Sequence, residues 1–112
     1  MFRSEANTGI PQAPTTLGTA PVYLKYYTQI MRGKNPDGTK YADRVYYVSY
    51  FRNGEAVHYY DRASYGFPQS LGCVELPWSA AKTAWPYLTY GSLVTVQRGS
   101  LTPSSSPTDP TV

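Results

Sequence analysis

The run from Arg44 to Tyr60, RVYYVSYFRNGEAVHYY, limits the fold more than any other part of the chain. Two stretches rich in tyrosine and valine flank Asn53-Gly54, and aromatic and β-branched side chains suit the pleated, half-buried surface of a sheet. An Asn-Gly pair supplies the left-handed residues that a tight hairpin needs. RVYYVSYF (44–51) is therefore predicted as a strand, RNGE (52–55) as its turn and AVHYY (56–60) as the returning strand.

The rest of the chain reads in the same style. Twelve tyrosines, three phenylalanines and two tryptophans favour sheet, while ten prolines and nine glycines cut 112 residues into short segments. Residues 7–20 read as a loop, PVYLKYY (21–27) as a strand, and NPDG (35–38) as a turn inside a long exposed excursion over 30–43. A second loop is expected over 61–77. WSAAKTAWPYL (78–88) holds the one convincing helix, near 79–86, with Ser79 as its N-cap and Pro86 as its limit. GSLVTVQ (91–97) is the closing strand. From Ser100 the chain is Pro/Ser/Thr-rich and is expected to be a disordered tail, so the folded domain is placed at 1–99 and the tail at 100–112. The expected class is mainly β with one short helix.

Several functions are disfavoured at once. A single cysteine excludes an internal disulfide, and with a single histidine it excludes a Cys/His zinc cluster. The net charge is +3, but the basic residues form no run of the kind a nucleic-acid surface shows. No uncharged run reaches the roughly 20 apolar residues of a membrane span, and the N-terminus has no apolar signal core.

The chemistry lies in YGFPQSLGCVELPW (65–78), which carries Cys73. A nucleophilic cysteine needs a base, donors for an oxyanion and an accessible position. His58 is the one available imidazole, fifteen residues earlier on a predicted strand, and the intervening loop is long enough to bring the two together. Gly72 leaves room for a substrate, the Gly72 and Cys73 amides can face a carbonyl oxygen, and Ser70 can brace the turn. The competing reading is equally physical. Free cysteines usually act as small buried hydrophobes, and a histidine among tyrosines is often a packing residue.

Over residues 7–97 the chain resembles the L,D-transpeptidase catalytic domain of bacterial cell-wall enzymes. In that family a strand histidine precedes a Ser-His-Gly-Cys signature, followed by a short helix and a Gly-x-x-Val-x-Val/Ile strand. HYYDRASYGFPQSLGCVELPWSAAKTAWPYLTYGSLVTV keeps that order, and NTGIPQAPTTLGTAPVYLKY looks like the family's upstream Ser-Thr-Gly segment. The resemblance implies a β-sandwich or barrel, with Cys73 as nucleophile, His58 as base, and Gly72, Ser70 and the Tyr59 carbonyl as supports. It also implies peptidoglycan stem peptides as donor and acceptor, no metal or organic cofactor, an extracytoplasmic location and a monomer. Water as acceptor would make the same site an L,D-carboxypeptidase, and loss of chemistry would leave a wall-binding module. The sequence departs from the pattern at Leu71, where the family has His, and at Glu75, where it usually has Arg. An anion at position 75 is expected to disfavour a thiolate. The family's domain opens with further strands and an export signal, so an incomplete chain is expected.

Overall fold

The computed structural model describes residues 2–98. In chain order it contains β1 (Gly18–Pro21), β2 (Leu24–Lys34), β3 (Lys40–Arg52), β4 (Glu55–Tyr59), β5 (Val74–Leu76), the helix α1 (Trp78–Ala84), a 3-10 turn over Trp85–Tyr87 and β6 (Leu93–Val96). Strands β2-β3-β4-β5 form one sheet in that order, and β1 and β6 form a second, two-stranded one. The protein is mainly β with one short helix just after the cysteine loop. The tail expected from residue 100 lies outside the described residues.

The predicted hairpin is present. Arg52 pairs with Glu55 across a two-residue turn, and Asn53 and Gly54 both take positive φ, 39° and 87°. Those angles match the mirror-image turn whose twist fits that of paired strands.

Four local expectations need correction. The excursion over 30–43 is instead the outer half of a long hairpin, with β2 and β3 paired as far as Lys34 and Lys40 around the predicted Asn35–Gly38 turn. Exposure alternates along it, with Arg32, Lys34, Lys40 and Arg44 exposed and Met31, Gly33, Tyr41 and Asp43 half-buried, but Gly33 and Asp43 on the covered side break the apolar period by which a strand is read. Within the expected first loop, β1 forms by antiparallel pairing with β6 and buries Ala20. Within the second, β5 pairs parallel with β4; three residues are too few to show a period. Finally, α1 begins at Trp78 with Pro77, not Ser79, at the N-cap. The Pro77 carbonyl accepts the first helical bond from the Ala81 amide at 2.9 Å. Pro86 does limit the helix, because it lacks the N–H to continue it and the chain narrows to the 3-10 turn.

The large sheet buries both of its faces. On one side Val22, Tyr47, Phe51, Val57 and Leu76 meet Ala80 and Ala81 of the helix, with Ala20 from the small sheet. On the other, Val45, Val48 and Ala56 form a smaller cluster that Met31, Tyr50, Tyr60 and Cys73 pack against. Strict alternation would send Val45 and Val48 to opposite faces. A bulge prevents this: Tyr47 has φ 58°, and the β3–β4 register shifts between Tyr46 and Ser49. Tyr46 and Tyr47 consequently both turn to the helix side, where their rings lie 5.4 and 5.0 Å from Trp78 in edge-on contact. Such pairs contribute about 0.5–1.5 kcal/mol each beyond the area they bury. Trp85 closes the same side by donating its indole N–H to the Val48 carbonyl at 3.1 Å.

Candidate active site

Parallel pairing of β4 with β5 brings the two chemical residues together. Val57 lies beside Val74 and His58 beside Glu75, so Cys73, one residue before β5, falls beside Ala56. Side chains alternate along a strand, and Cys73, His58 and Glu75 therefore share the face opposite the helix. All three line one cleft of about 790 Å³. The long hairpin lines it through Met31, Tyr41 and Asp43, and Leu71 and Arg62 line it too.

His58 is buried on β4 at 3% exposure. Its Nδ1–H donates to the Tyr59 carbonyl at 3.0 Å, which leaves Nε2 as the proton acceptor. Burial holds the imidazole below its ordinary pKa, the Tyr59 carbonyl and Glu75 oppose that shift, and Arg62 adds to it. Tyr59 acts here through its backbone alone, because its ring packs on Trp78 at 5.1 Å on the helix side.

Cys73 is partly buried. Desolvation pushes its thiol up to about 11, with Glu75 and Glu55 adding to the shift and the Ala56 backbone opposing it. Among the described residues no hydrogen bond joins Cys73 to His58. Burial favours the uncharged form of each: it raises the thiol and lowers the imidazole.

The loop carrying Cys73 is held by short polar contacts. The Ser70 hydroxyl donates to the Cys73 carbonyl at 2.6 Å and accepts from the Gly72 amide at 3.2 Å. Delivery of that amide to an oxyanion requires the second bond to break. Gly72 has φ 119°, a conformation that L side chains rarely adopt. Thr15 clamps the loop from the other side, accepting from the Gly9 amide at 3.0 Å and donating to the Gly72 carbonyl at 2.9 Å. A Cβ on Gly9 would lie 2.1 Å from the Ala13 carbonyl oxygen, so no larger residue fits there. The Thr8-Gly9 stretch is thus a strap across the cysteine loop.

Glu75 is not the bare anion expected from the sequence. Its carboxylate accepts from Arg62 Nε at 2.9 Å, from Arg62 Nη2 at 3.0 Å and from Asn7 Nδ2 at 3.2 Å. The raised thiol agrees with the expected direction, but a cation already faces the carboxylate. Sequence reasoning missed Arg62, Asn7 and Thr15. Their partners lie 13, 68 and 57 residues away, and no local spacing signals such contacts. Leu71 sits at the cleft rim, 36% exposed, so its departure from the common signature leaves the core untouched. Among the described residues no cluster of three or more His, Cys, Asp or Glu is placed to hold a metal, and no helix is long and apolar enough to cross a membrane.

The profile of the YkuD L,D-transpeptidase catalytic domain matches residues 1–96. No curated protein matches the chain. Solved structures do. An L,D-transpeptidase from Mycobacterium smegmatis aligns over 88% of this chain and 49% of its own length, with 25% identity and a TM-score of 0.77. A mutant of the Enterococcus faecium L,D-transpeptidase aligns over 86% and 41%, with 25% identity and a TM-score of 0.78. Ldtfm, solved as its avibactam carbamoyl enzyme, aligns over 84% and 39%, with 27% identity and a TM-score of 0.75. The chain thus spans half or less of the length of these structures. With the family profile over nearly all of the described sheet and the cleft held in the same fold, the chain belongs to the YkuD family of L,D-transpeptidase catalytic domains.

Proposed function

We propose that this domain catalyses acyl transfer between peptidoglycan stem peptides, with Cys73 as nucleophile and His58 as acid–base partner. The observation that carries the reading is the shared cleft face of Cys73 and His58, with the imidazole proton fixed on the Tyr59 carbonyl. His58 Nε2 takes the thiol proton as Cys73 Sγ attacks the carbonyl of the diamino acid at the third stem position. The Cys73 amide stabilises the oxyanion. Collapse of the tetrahedral intermediate breaks the C–N bond, His58 returns the proton to the departing D-alanine amine, and a thioester remains. The amine of a second stem then attacks the thioester, restoring the thiol and leaving a 3→3 cross-link. Peptidoglycan lies outside the cytoplasm, so the domain works there.

A neutral thiol at about 11 costs rate, because only the thiolate attacks. That feature favours a second reading, a wall-binding module that has kept the fold and lost the chemistry. Intact-mass spectrometry after incubation with a carbapenem separates them. A covalent adduct mapped to Cys73, together with cross-linked dimers from purified muropeptides, supports the enzyme. An unmodified thiol with retained peptidoglycan binding supports the module.

A further inference from the structure

His58 and Glu75 stand beside each other on adjacent parallel strands, at 3% and 4% exposure. A carboxylate so close to a buried imidazole ordinarily stabilises its charged form. Here it is otherwise occupied. Both Glu75 oxygens are taken by the Arg62 fork and Asn7, while the imidazole N–H goes to the Tyr59 carbonyl. Arg62 is itself fixed, since Nη2 also donates to the Gln69 carbonyl at 3.1 Å and the guanidinium lies over the Tyr60 ring at 4.8 Å.

We propose that Arg62 is a positioning residue for the Cys73–His58 pair: by occupying the Glu75 carboxylate it keeps His58 a neutral base seated on the Tyr59 carbonyl. The inference rests on the catalytic reading of that pair. The groups facing His58 are Glu75 from β5, Arg62 from the segment after β4, Asp43 from β3 and the Cys73 thiol from the loop before β5. Glu75 and Asp43 push the imidazole towards its charged form, and of the neighbours only Arg62 pushes the other way together with burial. Without Arg62, the freed carboxylate competes with the Tyr59 carbonyl for the imidazole N–H and stabilises the imidazolium formed when Nε2 takes a second proton from solvent. An imidazolium cannot accept the thiol proton.

The chain has one histidine, so proton NMR follows the His58 titration directly, with circular dichroism as the check on folding. Arg62→Met should raise the midpoint by about one unit or more. Arg62→Lys keeps a charge but loses the fork, and should raise it less. Arg62→Met combined with Glu75→Gln should return it to the parent's side. The acid limb of carbapenem acylation should move up with the NMR midpoint. An unmoved midpoint in folded Arg62→Met overturns the proposal, as does a shift that persists in the double variant. Should Arg62→Met not fold, an unmoved midpoint in Arg62→Lys is the overturning result. Absence of acylation in the parent, with the NMR shifts intact, defeats the catalytic reading and leaves the role of Arg62 standing.

Discussion

Ser70 and Cys73 are joined by a 2.6 Å hydrogen bond from the serine hydroxyl to the cysteine carbonyl, inside a loop whose glycine amide donates back to the same hydroxyl. One side chain, 2% exposed, closes the turn that presents the thiol. Ser70→Ala leaves a carbonyl and an amide without this partner. The expected loss is about 1–3 kcal/mol of stability, read as a lower urea midpoint, with slower carbapenem acylation. An unchanged midpoint would show that water replaces the hydroxyl at no cost.

The proposed Cys73–His58 pair has a sharper test. Cys73→Ala should abolish acylation, because no other thiol exists in the chain. His58→Ala should slow it by about two to four orders of magnitude, the usual contribution of a positioned acid–base group. Stopped-flow measurement at neutral pH decides the matter. A parental rate in His58→Ala would return Cys73 to the role of buried filler.

Glu75→Arg restores the residue usual in the family, and from sequence it should lower the thiol pKa by exchanging a repelling charge for an attracting one. The structure keeps that direction, since Glu75 does raise the thiol, and adds a cost in stability. Arg62 and a new arginine would meet in a site now holding one part-buried ion pair, and breaking a pair buried on one side only costs less than the roughly 3–5 kcal/mol of a fully buried one. Thermal denaturation should show a clear loss, part of which Arg62→Glu in the same chain recovers. Parental stability in the single variant would show that Arg62 swings free of the cleft.

Burial of His58 and Cys73 predicts two pH limits on stability. His58 is held below its ordinary pKa by burial, so as pH falls through the ordinary histidine range the unfolded chain binds a proton that the folded one refuses. Stability therefore falls on acidification through that range. Cys73 is raised to about 11 from 9.0, so above the ordinary thiol value the unfolded chain releases a proton that the folded one keeps, and stability falls again. Denaturation midpoints across pH check both. His58→Gln should flatten the acid side, and Cys73→Ala the alkaline side. Alkylation of Cys73 by a small reagent should rise with pH well beyond the range of an ordinary thiol.

What the sequence disclosed depended on how local each cause was. Asn53-Gly54 dictates its turn through two residues' own φ preferences, and the Tyr/Val stretches around it declare strand through their β-favouring side chains. Pro86 marks the end of the helix for an equally local reason. β5 escaped because Val74, Glu75 and Leu76 become a strand only by lying against β4. Ser79 looked like a cap because Pro77 carries no polar side chain, yet its carbonyl accepts the first helical bond without one. Cys73 and His58 could be nominated from chemistry, but the field around them depends on Arg62 and Asn7, which contact brings in from elsewhere in the chain.

The bulge at Tyr46–Tyr47 also changes the arithmetic of β3. Before it, odd-numbered residues face the cleft: Tyr41, Asp43 and Val45. After it, even-numbered ones do: Val48, and Tyr50, whose hydroxyl donates to Gln29 at 2.6 Å. The strand thus switches parity once, and the hairpin wall and the cleft floor are in step only because it does. Loss of a single residue here would erase the switch. It would turn Tyr41, Asp43 and Val45 outward together, while the hairpin signal at Asn53-Gly54 stayed intact and the chain still read as a member of its family.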